Sequence, residues 1–484
     1  MKRFFCSIGI ALVSIAIFTQ NSDDALRYSV HKVRGTARSI AMGGAFGALG
    51  SDFSSLSINP AGLATYRSSE LTVTPGFYFS GSSSRYFGKN TQDFNFRLNF
   101  NNWGMVLNFT PDNSVIKAFN IGLGYNRIAD FNGRRMIAGD NPGSTYSDYM
   151  AGISNLYGLW DYDGTALFYE AYLIDNPGGG DYMIDSIYFD LSDQPVTEQR
   201  TSLLERGKIN DWVFSAGINI NDILYLGTTV DIQMLKYSSE KVMREYDALE
   251  RSFRYFTFNQ NIDVLGEGYT GKIGAIVRPI PMLRIGVAYH LPTIFLIDEE
   301  STLSLTDSDN NYYDPLQIGA EFNVLESEYW VKKPFQLVGS IGVTIGKFLV
   351  LSGDIEYTDY SKMRMNNSDN DFDDENNYIK DVYRENVNVK AGAEFRYGGF
   401  YARAGGGFYG SPYKSYNVGS ERISASGGIG FRNDNFFMDI GFEHMFYDFK
   451  ELQYEVEIDN VLYSPEANID IKEYNLLTTF GIRF

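Results

Sequence analysis

Apolar and polar residues alternate with a period of two along most of this chain. From Ser69 onward fourteen such stretches can be marked, at about 69–80, 94–109, 115–128, 209–220, 223–238, 256–277, 282–298, 327–345, 348–361, 383–397, 400–410, 420–431, 435–449 and 471–484. That period puts every second side chain on one face, the mark of a β-strand. In one stretch Val387, Val389, Ala391, Ala393 and Phe395 share a face, while Asn388, Lys390, Gly392, Glu394 and Arg396 share the other. Phe436, Met438, Ile440 and Phe442 alternate with Asp439, Gly441 and Glu443 in the same way. Leu283, Ile285, Val287 and Tyr289 do so with Arg284, Gly286 and Ala288. The polar faces hold glycine and charges of both signs. They suit a wet interior with lipid outside better than an apolar core with water outside.

The connections between the stretches alternate in length. Pro111-Asp112-Asn113, Asn221-Asp222, Pro279-Ile280-Pro281, Gly346-Lys347, Gly398-Gly399 and Arg432-Asn433-Asp434 are short and favour tight turns. Segments 81–93, 129–208, 239–255, 299–326, 362–382, 411–419 and 450–470 are longer. This cadence predicts an all-β fold, a transmembrane antiparallel barrel of about 14 strands over 68–484, with both chain ends on the short-turn side. No fixed repeat period points to a propeller or a solenoid.

Ahead of the barrel, Gly35–Ala64 is rich in Gly, Ala and Ser. Ala37, Ile40, Ala41, Gly44, Ala45 and Leu49 form a thin apolar stripe, which predicts a short helix lying close against a wall and ending at Gly50. Asp52 is placed to cap a further turn, and Asn59-Pro60 breaks it. Residues 21–67 therefore read as a helical plug in the lumen. Lys2-Arg3 and the apolar run to Phe18 read as a signal peptide over 1–20, cleaved near Thr19-Gln20. The single cysteine, Cys6, lies in that run, so disulfides and thiolate chemistry are not expected.

Composition sharpens the picture. Aromatic residues make up 15% of the chain, which is usual where aromatic girdles ring a barrel. The formal charge of −19 argues against nucleic acid as a partner. Tyr474, Leu476, Thr478, Phe480, Ile482 and the terminal Phe484 lie on one strand face. Such a strand resembles the signal read by the barrel-assembly machinery, an expected partner.

Gly35-Thr36-Ala37-Arg38, Ala41-Met42-Gly43-Gly44-Ala45 and Asn59-Pro60-Ala61-Gly62-Leu63 resemble the N-terminal hatch of the outer-membrane long-chain fatty-acid transporters, the FadL/TodX type. The resemblance covers about thirty residues. It implies a cell outer-membrane location with periplasmic termini and passive uptake of hydrophobic, fatty acid-like molecules. It also implies capture by extracellular loops, diffusion past a hatch and lateral exit at a kink in the third strand. In this chain Gly122 and Gly124 are the residues there able to weaken the ladder, with Asn59 and Pro60 of the hatch expected nearby. The Pro-Phe-Gly of such strands is replaced by Arg127-Ile128-Ala129. A secretion-accessory barrel holding protein cargo and an outer-membrane hydrolase are the alternatives.

Two loops carry the candidate ligand-binding residues. Loop 129–208 holds Leu156, Leu159, Trp160, Phe168 and Tyr169; loop 239–255 reads as a helix capped by Ser239, with Met243 and Tyr246 on one side. These side chains either form a greasy surface groove or pack the loops together. No catalytic residue, metal or cofactor is expected. His31, His290 and His444 are scattered, and neither a G-x-S-x-G nor an H-E-x-x-H motif is present. The acidic runs at 307–311 and 369–373 lack the Gly and Glu that a calcium loop requires.

Overall fold

The wall is built from strands whose outward side chains are apolar and whose inward ones are charged. In the segment Glu385–Tyr397, Val387, Val389 and Phe395 are exposed, while Lys390 and Glu394 are buried. An exposed apolar face and a buried ionic one reverse the order of a water-soluble sandwich and fit a barrel in lipid. The computed structural model describes residues 22–30, 32–112, 115–160, 164–184, 197–247, 255–307, 311–314, 324–368, 372–415 and 418–484. The expected signal peptide, Cys6 and His31 lie outside the described residues, as do parts of both acidic runs.

The wall strands are β1 (Glu70–Tyr86), β2 (Lys89–Phe109), β3 (Ile116–Asp130), β4 (Gly133–Asn141), β5 (Thr197–Ile220), β6 (Leu224–Asp247), β7 (Tyr255–Ile280), β8 (Leu283–His290), β9 (Thr293–Thr306), β10 (Val324–Lys333), β11 (Gln336–Ile345), β12 (Leu349–Asp359), β13 (Arg364–Asn366), β14 (Glu385–Tyr397), β15 (Phe400–Tyr409), β16 (Gly419–Arg432), β17 (Phe436–Leu452) and β18 (Glu466–Arg483). Four staves are interrupted, so β3/β4, β8/β9, β10/β11 and β12/β13 each count once and the barrel has fourteen staves. Neighbours in sequence are antiparallel neighbours in space. The ring closes where β1 pairs with β18, from Glu70 opposite Arg483 to Arg85 opposite Asn468.

The loop-side limits differ from the sequence reading. Segment 81–93 is not a long loop: β1 and β2 run on to a two-residue turn at Phe87-Gly88. The described part of segment 239–255 is not helical: β6 continues as paired strand to Asp247, and β7 begins at Tyr255. The long connections carry α3 (Tyr146–Tyr157), α4 (Thr165–Glu170) and α5 (Asp373–Val382), which lie over the barrel mouth.

The N-terminal segment fills the lumen. α1 (Ser22–Ser29) lies toward the long loops, where Leu26 and Tyr28 pack with Tyr329, Met365 and Ile379 of α5. Phe484 bonds to Ser69 at the short-turn rim, while the described N-terminal helix sits deep in the barrel toward the opposite mouth. α2 (Ala37–Ala41) is shorter than the apolar stripe suggested, because Gly43 and Gly44 turn the chain at φ +65° and +76° well before Gly50. Two 3-10 turns follow. Asp52 caps the first and Asn59 the second, accepting from the N–H of Ser54 at 3.0 Å and of Ala61 at 3.1 Å.

Candidate functional site

The hatch is held against one side of the wall by buried charge. Arg38 Nε donates to Glu394 at 2.9 Å. Arg403 bridges Glu394 at 2.6 Å and Asp439 at 2.7 Å, and Arg432 reaches Asp439 at 2.8 Å. Arg34 donates to Glu473 at 2.8 Å, and Lys32 pairs with Glu443. Fixed in this way, the hatch lies so close to the wall that inward positions beside it are glycine. A Cβ on Gly428 would stand 2.6 Å from that of Ala41, and one on Gly122 the same distance from Leu56 Cδ2. Such distances leave no room for a side chain without movement.

This changes the place of the gate expected at Gly122 and Gly124. Both lie in an unbroken ladder, with Gly122 between Val106 and Ser215 and Gly124 between Gly104 and Val213. The room they leave is occupied by Leu56, Leu63 and Phe53 of the hatch. Asn59 and Pro60 are not beside them either. They sit a few staves along, against β6, β7 and β8, where Pro60 lies against Gly227, and Asn59 Nδ2 is 2.7 Å from the Gly47 carbonyl and 3.4 Å from that of Ala275.

The breach in the wall begins just above those glycines. β2 pairs with β3 only over Asn102–Phe109, opposite Asn126–Phe119. Beyond Asn126 the stave pairs with β5 alone, through a bulge at Arg127–Ala129, and β2 residues 89–101 have no strand on that side. β4 instead tucks behind the β1–β2 hairpin. Its Arg134 pairs with Asp93 at 2.9 Å, its Asp140 with Lys89 at 2.7 Å, and the Arg134 carbonyl accepts from Ser82 at 2.8 Å. At the lower end of the breach, Asn99 Nδ2 donates to Asp130 at 2.6 Å, and the Tyr125 hydroxyl donates to the Phe100 carbonyl at 3.2 Å; each contact across it, those to β4 included, involves a side chain and not a strand ladder. Phe94, Phe96, Leu98 and Phe100 are exposed on its outer side. From inside, the hatch stands at its mouth, where the bulge carbonyls of Arg127 and Ile128 accept from the backbone of Arg34 and Lys32 at 2.7 Å each.

The loop residues fall into two groups. Phe168 is fully buried, with its ring 5.2 Å from Phe256 and 5.3 Å from Phe258. Met243 lies in the same cluster, and Leu159 and Tyr169 pack against it. Tyr246 faces Tyr255 at 5.7 Å. By contrast Leu156 and Trp160 are exposed, with Tyr157 beside them, and Trp160 Nε1 donates to the Tyr157 carbonyl at 2.7 Å. A second concave site lies in the lumen between hatch and wall, with about 550 Å³ of atom-free space, part of it open to solvent. His290 Nε2 lies there 2.7 Å from the Ile58 carbonyl, while His444 stacks on Tyr474 at 4.5 Å on another stave. The described residues hold no group of three or more His, Cys, Asp or Glu arranged to bind a metal.

Neither a family model nor a curated protein sequence matches the chain. Solved structures do. A FadL homologue from Pseudomonas aeruginosa aligns with a TM-score of 0.55 and 14% identity, over 93% of this chain and 98% of that one. The toluene transporter TodX of P. putida aligns at 0.52 and 12%, over 93% and 98%. CymD, a monoaromatic hydrocarbon channel, aligns at 0.50 and 12%, over 93% and 97%. At these identities the likeness is one of fold: this chain has the hatch-plugged barrel of the FadL/TodX type.

Proposed function

We propose that this barrel is an outer-membrane passive transporter for hydrophobic molecules, with long-chain fatty acids as the favoured class. The observation that carries the reading is the breach between β2 and the upper part of the third stave. A wall strand left without a partner on one side over residues 89–101 is a liability in lipid unless the gap has a use. An opening lined outside by Phe94, Phe96, Leu98 and Phe100 and crossed only by side chains gives an apolar solute a sideways path into the bilayer. The hatch blocks a straight aqueous pore, so polar solutes gain no free passage.

In this reading the exposed Leu156, Tyr157 and Trp160 on the loop cap take up the molecule, and the lumen passes it toward the breach. Each buried methylene contributes about 0.8 kcal/mol, so a long acyl chain binds without any catalytic group. The structural neighbours named for toluene and monoaromatic hydrocarbons extend the possible substrates to small aromatic molecules. Mass spectrometry of molecules released from the gently purified protein tests the substrate class. Long-chain fatty acids enriched over a control barrel from the same membranes are expected; recovery of bulk phospholipid alone would overturn it.

A further inference from the structure

A second discontinuity lies on the opposite side of the barrel. β8 stops at His290 and β9 resumes at Thr293; on the next stave β10 stops at Lys333 and β11 begins at Gln336. The breaks face each other, since His290 is opposite Gln336 and Thr293 is opposite Lys333. Each contains a proline, Pro292 and Pro334. Proline cannot donate to a ladder and is confined to edges and bulges, so two of them facing each other inside a wall keep that ladder open. The stave after these two, β12/β13, breaks at the same level, between Asp359 and Arg364.

The breaks lie near the loop-side edge of the apolar belt. Below them Leu337, Ile341, Leu351 and Ile355 are exposed to lipid; above them Ile294 and Leu296 of β9 are the last exposed apolar residues before Asp298 and Glu300, and the exposed residues of β10 are Glu326, Glu328 and Lys332. Tyr289, Phe335 and Tyr357 form an aromatic row across the break, with ring separations of 5.7 and 6.4 Å. The lumen cavity lies directly behind. His290, Leu291, Thr293, Lys333, Pro334 and Gln336, the residues flanking the two breaks, line it, and Leu291 is at the same time 46% exposed.

The chemistry of the cavity is polar and charge-balanced. Lys272 sits between Asp211 at 2.8 Å and Asp231 at 2.7 Å, and Lys390 pairs with Glu356 at 2.5 Å. Lys272, Lys333 and Lys390 line the cavity with Asp211 and Glu356, and Asp231, which pairs with Lys272 from behind the lining, brings the carboxylates to three against three lysines, so the site has no net excess of either charge. Gln233, 3% exposed, donates its amide to Asp211 at 3.1 Å, and among the described residues nothing donates to its Oε1. A buried acceptor left without a donor is costly and is relieved by a ligand that brings one.

We propose that the facing proline breaks form a second side window, and that the cavity behind it binds the hydroxyl group of an uncharged amphiphile whose chain lies toward the membrane. The Gln233 carbonyl accepts the hydroxyl proton, and Leu291 and Pro334 pack on the first methylenes. This site is separate from the breach beside β3 and stands whether or not fatty acids leave there.

The test uses the full-chain barrel in amphipol, with octan-1-ol, octanoate and octylammonium in equilibrium dialysis. Octan-1-ol is expected to bind at least tenfold more tightly than either charged analogue, and Gln233→Leu to weaken it at least tenfold. Equal or tighter binding of a charged analogue, or no change in Gln233→Leu, would overturn the assignment. For the window, Pro292→Thr with Pro334→Val restores the missing donors, and Leu291→Trp fills the gap without touching the ladder. In whichever variant keeps the heat-dependent gel shift of a folded barrel, release of octan-1-ol should slow at least tenfold while its affinity stays within twofold. Release at the parent rate would rule the window out.

Discussion

Phe168 and Trp160 lie eight residues apart on one loop and looked alike as apolar aromatics, yet they have different surroundings. Phe168 is enclosed by Phe256, Phe258 and Tyr146, whereas Trp160 remains 48% exposed. Replacing Phe168 with Ser removes a buried ring, a change of the kind that costs about 3–5 kcal/mol, so the loop cap should loosen and become sensitive to limited proteolysis. Replacing Trp160 with Ser should leave the cap resistant while weakening the capture of fatty acid by delipidated protein. Equal protease resistance in the two variants would contradict this division. The sequence contained both residues but not their partners, since the strands carrying Phe256 and Phe258 are about ninety residues away in the chain. Only Pro292 and Pro334 were visible signals that passed unused: proline inside an alternating stretch announces a break.

At the scale of elements, the strands were legible where lipid imposes an apolar outer face, and blurred where it does not. The bilayer-facing halves of all fourteen staves fall within the stretches marked by alternation. The loop-side extensions do not, because water on their outer face removes the pressure for apolar residues. Lys89–Asp93 and Ser239–Asp247 therefore resembled loop and helix although both are paired strand. The hatch was legible through its small residues. Its imprint on the wall was not, since the pairing of Gly122 with Leu56, or of Gly428 with Ala41, joins distant parts of the chain. The imprint predicts the effect of Gly122→Val. The added methyls meet Leu56 and Leu63, so the hatch should shift and ion conductance through the reconstituted barrel should rise, with the barrel still showing its heat-dependent gel shift. Conductance unchanged in a folded variant would show that the hatch has slack there.

At the scale of the whole molecule, the two sides of the barrel are built differently. Close glycine contacts hold the hatch on both sides, but its ion pairs to the wall are along β14–β18, where Arg38 meets Glu394 and Arg34 meets Glu473. The strand ladder is left open next to β2, where Asn99–Asp130 and Tyr125–Phe100 cross at its lower end and Asp93–Arg134 and Lys89–Asp140 higher up. In the proposed reading, a solute that cannot pass the plug leaves through this opening in the wall. With Cys6 changed to Ser the chain has no other cysteine, so Asn99→Cys and Asp130→Cys can be joined by a short reducible bis-thiosulfonate linker. The most direct measurement is transport of oleate and of toluene into proteoliposomes by this double variant, linked and then reduced. The account predicts at least a tenfold loss of transport when the breach is bridged and recovery on reduction. Transport of both molecules at the unlinked rate through a fully bridged protein would contradict it.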